Sequence, residues 1–129
     1  MIPSNVITNI VDKMIEHSRE IEIRIQNDYN VVHMDIIHAW MREQERLWQM
    51  HHLLSVAIFI HDGMIPIEVI DDIRKGYGTY QANIKKKLRH PIKKLFISKR
   101  ETQCLHAEIQ VSCLYSAELA RVIREHKED

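Results

Sequence analysis

The sequence predicts an all-α chain, a single antiparallel four-helix bundle over residues 1–129. Three observations carry this. First, 129 residues include only three Gly and three Pro, whereas a β-sandwich of this size needs turn residues about every 8–12 positions. Second, 45% of the residues are hydrophobic and 18 Lys+Arg balance 18 Asp+Glu, which excludes disorder and leaves length for one core rather than two. Third, apolar positions recur at helical spacing in four separate stretches.

In the first stretch Ile7, Val11, Met14, Ser18, Ile21 and Ile25 alternate steps of four and three. They form one apolar stripe on a helix entered through Pro3 and Ser4. The run Ile21-Glu22-Ile23-Arg24-Ile25 also alternates with period two, but a lone strand has no partner, so helix is expected. Asn27-Asp28-Tyr29-Asn30 reads as a turn.

The second stretch, 31–60, contains no Gly or Pro. At about 100° per residue Ile36, Ile37, Trp40, Met41, Leu47, Trp48, Leu54 and Ile58 share a face, with Asp35, Arg42, Arg46 and Gln49 opposite. Beyond Leu53 the helix is apolar nearly all round, which puts its last third in mid-core, and His61-Asp62-Gly63 ends it. The third stretch opens at Pro66 and keeps helical spacing through Ile67, Ile70, Ile73, Tyr77, Tyr80, Ile84 and Leu88, up to Pro91. Gly76 and Gly78 each cost about 1 kcal/mol relative to Ala, predicting a kink there or a break into a fifth short helix. The fourth opens with the capping box Ser98-Lys99-Arg100-Glu101. It mixes Leu105, Ile109, Leu119 and Ile123 with the small residues Ser112, Cys113, Ser116 and Ala120, so that a neighbouring helix can approach closely.

Cys104 and Cys113 lie nine positions apart on that helix, roughly 13 Å, too far to bridge. They read as reduced thiols of an intracellular protein. Asp12, Lys13 and Glu16 interrupt the first apolar stretch, so no leader is expected. The apolar run from Leu53 to Ile60 falls far short of the ~20 residues of a membrane span.

The neutral net charge hides an uneven distribution. Residues 1–83 carry −5, residues 84–100 carry +8 and residues 101–129 carry −3. The basic block is Lys85, Lys86, Lys87, Arg89, Lys93, Lys94, Lys99 and Arg100, with His90 beside it and no acid inside. Such a block suits nucleic acid or an acidic protein surface, and Phe96 within it suits stacking on an unpaired base. The plainer alternative is a solvated helix end favoured by the macrodipole. Lys99 and Arg100, at a helix N-terminus, fit that alternative poorly. Trp40 and Trp48 on the long helix, its internal polar stripe and the split of charge point to a homo-oligomer.

Nine histidines invite catalytic and metal readings, yet no His pair has the i,i+4 spacing of two metal ligands on one helix. Neither metal nor cofactor is expected. His33 followed by His61-Asp62, after "VAIFIHDG", resembles the HD-type metal phosphohydrolases. That resemblance implies His33, His61 and Asp62 as ligands, although the later Asp of the family pattern is missing. Arg46-x4-His51 and Arg121-x4-His126 match the Arg/His spacing of the HEPN-type ribonucleases, also four-helix bundles. That similarity implies a metal-independent ribonuclease acting through Arg46 and His51. His51-x-Leu53-Leu54-Ser55 loosely resembles the histidine-phosphotransfer signature without its Lys and Gly. The preferred expectation is a non-enzymatic helical interaction protein, with the ribonuclease and a self-complementary assembly protein as rivals.

Overall fold

The structure is a computed structural model describing residues 1–90 and 99–127; for residues 77–82, 84, 87, 100, 101 and 107–113 the description is of the backbone. The chain is mostly helical, as its composition predicts. In order it forms β1 (Ile2–Pro3), α1 (Ser4–Asp28), α2 (Met34–Ile60), β2 (Met64–Ile65), α3 (Ile67–Arg89) and α4 (Lys99–His126). None of the described helices is long and apolar enough to cross a membrane.

In α1, Ile7, Ile10, Val11, Met14 and Ile21 are buried, so the stripe of fours and threes is the core face. The period-two run at 21–25 is helical throughout. Asn27 and Asp28, expected in a turn, form the last turn of α1. The chain then reverses at 29–33 through the Val31 and Val32 amides, which donate to the Asp28 carbonyl at 3.0 and 3.1 Å. His33 caps α2, its Nδ1 accepting the Asp35 amide at 3.1 Å.

Helix α2 differs most from expectation. Its buried residues are Ile37, Ala39, Glu43, Arg46, Leu47, Met50, Leu54 and Ala57. At ~100° per residue the centre of that face is rotated roughly 80° from the face read off hydrophobicity. Arg46, placed on the polar side by sequence, is only 8% exposed, whereas Met41 and Trp48 are half-exposed. The last third of α2 is not in mid-core either. Leu54 and Ala57 are buried, but Leu53, Val56, Phe59 and Ile60 face solvent, Phe59 at 87%. The cause is that α2 carries two apolar stripes, one inward and one outward, and a hydrophobicity average falls between them.

Gly63, with φ +92°, turns the chain out of α2 in a conformation that side-chain-bearing residues rarely adopt. Its carbonyl accepts the Ser4 amide at 3.0 Å, beside an antiparallel pair placing Ile2 opposite Ile65 and Pro3 opposite Met64. This two-residue sheet was not anticipated. Pro3 has no amide to give, so Ser4 donates instead. Helix α3 then runs unbroken through Gly76 and Gly78, which corrects the expected break. The two glycines together cost about 2 kcal/mol, less than a helix of 23 residues gains from packing. The Asp71–Arg74 and Asp71–Lys75 ion pairs, at 2.8 and 3.0 Å, brace the turn before them. Pro91 and the capping residue Ser98 lie outside the described residues.

Helix α1 packs most extensively on α2, and α3 on α4, with α2 also against α4. Ile2, Ile7, Met14, Leu47, Met50, Leu54, Ile65, Ile70, Tyr115, Leu119 and Val122 meet in one core. The small sheet therefore closes one end of the same apolar interior.

Candidate functional site

The basic block falls where α3 ends and α4 begins. Lys85, Lys86 and Arg89 are exposed. Spacings of three and four put them on neighbouring rows of the last turn of α3. His90, half-buried, leaves the helix in extended conformation (φ −73°, ψ 119°), and Lys99 is exposed at the start of α4. Lys87 and Arg100 are placed by backbone alone, at those same two helix ends. Lys93, Lys94 and Phe96 lie outside the described residues. Cations at the end of α3 gain from its macrodipole, whereas Lys99 and Arg100 oppose that of α4.

A second polar cluster lies inside the helices. Tyr115 of α4 is 3% exposed and Glu43 of α2 is 8% exposed, and His17 of α1 bridges them. Its Nδ1 is 2.9 Å from the Tyr115 hydroxyl and its Nε2 is 3.3 Å from Glu43 Oε1. The Tyr115 contact is a hydrogen bond, and the Glu43 contact is an ion pair when the imidazole is protonated. Burial, reinforced by the carboxylates of Glu118, Glu20 and Glu43, pushes the Tyr115 phenol up to about 12. A buried phenol that resists ionisation is a poor nucleophile, and the trio ties three helices together. Sequence reading missed it, although Glu43 sits among Trp40, Leu47, Met50 and Leu54 on the inward face. An acid in that position is the one available signal for a buried polar contact.

The other sequence candidates do not converge. His33 and His61 flank the 27-residue α2, roughly 40 Å apart at 1.5 Å per residue, so one ion cannot hold both with Asp62. Among the described residues no group of three or more His, Cys, Asp and Glu is placed to bind a metal. Arg46 and His51 lie five positions apart on α2, ~140° around its axis. Arg46 is buried and His51 half-buried, its ring edge-on to Trp48 at 5.7 Å. Arg121 instead pairs with Glu125 at 2.9 Å, and His126 Nδ1 contacts the Val122 carbonyl at 2.8 Å. Cys104 is not in a disulfide.

A shallow groove of about 430 Å³ runs between α1 and α4, lined by Asn9, Lys13, Glu118 and Arg121 among others. The Lys13–Glu118 ion pair at 2.8 Å spans it, leaving no concentrated charge of either sign. No protein family, curated protein or solved structure matches this chain, so its function rests on its own residues.

Proposed function

We propose that the chain is a non-enzymatic, oligomeric helical interaction protein, arranged as an antiparallel four-helix bundle, that binds nucleic acid through residues 85–100. Short reversals at 29–33 and 61–66 favour antiparallel neighbours. The observation that carries the binding reading is the position of the cations. Lys85, Lys86, Arg89 and Lys99 are exposed at two consecutive helix ends, with no acid between residues 84 and 100. Lys99 and Arg100 gain nothing from their own helix dipole, so a bound polyanion is the natural source of their stabilisation.

Gel shift and salt titration with RNA and DNA test this. Affinity should fall steeply with salt, and replacing Lys85, Lys86, Arg89, Lys93 and Lys94 with Ala should flatten that slope by about one unit per lost phosphate contact. Absence of binding at low salt refutes the nucleic-acid reading; an acidic protein surface then takes its place. The HEPN-like alternative predicts RNA cleavage that His51→Ala abolishes. The divergent directions of Arg46 and His51 favour intact, retarded RNA.

A further inference from the structure

The outward stripe of α2 is exposed and contributes nothing to the described core. Met34, Met41 and Trp48 lie on it 41%, 50% and 56% exposed, followed by Val56 at 40% and Phe59 at 87%. Met34, His38, Met41, Glu45, Trp48, His52, Ser55 and Phe59 step by four and three, the spacing of a coiled-coil seam, with Val56 beside them. The stripe runs roughly 38 Å along α2. Trp48 and Phe59 alone expose about 200–350 Å², and Met34, Met41 and Val56 extend it. That lies at the top of the range for the largest apolar patch of a typical monomer, about 300–600 Å², and matches the apolar share, roughly 60%, of the ~800 Å² per partner of a stable interface.

We propose that this stripe is covered by the same stripe of a second copy of the chain, with the two α2 helices antiparallel and the twofold axis between Arg46 and Leu47. The polar positions decide the direction. In a parallel pair Glu45 would face Glu45, placing like charges together. The antiparallel register places no titratable residue against its own kind. Met34 of one copy meets Phe59 of the other, His38 meets Ser55, Met41 meets His52 and Glu45 meets Trp48. The Glu45 carboxylate accepts the indole N–H across the axis, twice per dimer.

Local shape agrees. A shallow depression of about 380 Å³, lined by Met41, Arg42, Gln44, Glu45 and Trp48, lies where the indole of the second copy would sit. Trp48 is already held for that role. The His52 ring stacks on it at 5.3 Å and 8°, and His51 meets it edge-on. A fixed, half-exposed Trp at the centre of a patch is the usual form of an interface anchor. A lipid surface suits the stripe less well, because α2 contains no Lys and its Arg42 and Arg46 are outnumbered by Asp35, Glu43 and Glu45.

This assignment rests on the oligomeric half of the functional reading and is independent of its polyanion half. The test is light scattering of the full chain at concentrations up to about 0.1 mM. The expected mass is twice 15.4 kDa. Trp48→Glu and Phe59→Glu should each weaken the dimer about 30-fold or more, with helicity by circular dichroism unchanged because both sites face solvent. Replacing Lys85, Lys86 and Arg89 with Ala should leave the mass unchanged. For the register, a mixture of Met34→Cys and Phe59→Cys chains should cross-link on oxidation, and neither alone should exceed the wild-type baseline. A monomeric mass overturns the proposal, as does a dimer that survives both Glu variants. Self-cross-linking of each single Cys variant overturns the antiparallel register. A monomer that floats with phosphatidylcholine vesicles gives the stripe to a lipid surface instead.

Discussion

Replacing Tyr115 with phenylalanine isolates the buried contact between α4 and α1 and gives it a pH signature. At pH 8 the variant loses the hydroxyl hydrogen-bonded to His17 Nδ1 at 2.9 Å, a net loss of about 1 kcal/mol. Because folding raises the phenol's pKa from 10.0 to about 12, its contribution is whole below about pH 10 and is lost as pH rises toward 12. With those two values, the wild-type chain sheds about 1.4 kcal/mol through Tyr115 by pH 11. The Tyr115→Phe variant has no phenol at that position and sheds nothing there. Every other ionisable group is common to both proteins and cancels in the difference. Urea denaturation at pH 8, 9.5 and 11 should show the wild type ahead by about 1 kcal/mol at first, then level or slightly behind. If the gap stays constant across that range, the phenol titrates equally in both states and the buried trio is misread.

Two adjacent leucines report the orientation of α2. Leu54→Ala, fully buried, should cost about 2–5 kcal/mol by urea denaturation, while Leu53→Ala should stay within about 0.5 kcal/mol; equal losses would return α2 to the rotation its hydrophobicity suggests. The glycines should respond in opposite senses. Gly76→Ala, in an open helical position with nothing within 4 Å of the added methyl, should stabilise by about 0.5–1 kcal/mol. Gly63→Ala, forced to φ +92°, should destabilise by about 1–3 kcal/mol. Thermal melts of the two variants check both signs.

The limits of sequence reading follow from what periodicity encodes. Helix α1 was legible because it carries one stripe, which its neighbours bury. Helix α2 was legible as a helix but not in rotation, since Trp48 and Phe59 advertise burial as strongly as Leu47 and Leu54 do. Only the packing of α1 and α4 separates the two sets, and that packing is absent from a one-dimensional pattern. Gly76 misled for a related reason: local propensity registers its cost but not the contacts α3 makes with α4. The β1–β2 pair joins Ile2 to Ile65 through strands of two residues each, too short for any alternation to mark. Of the polar residues, the exposed cations of α3 were visible in the charge tally. The His17–Glu43–Tyr115 contact needed three helices to be placed before its members could be recognised as neighbours.

That small sheet also constrains the order in which the molecule assembles. Ile2 is wholly buried, yet its partner Ile65 lies beyond two complete helices. During synthesis Ile2 therefore has no strand partner until the α2–α3 turn has emerged, and the pair closes a loop that contains both α1 and α2. The β1–β2 pair acts as a late latch on the α1–α2 hairpin. Changes at Ile2 or Ile65 should accelerate unfolding more than they slow folding.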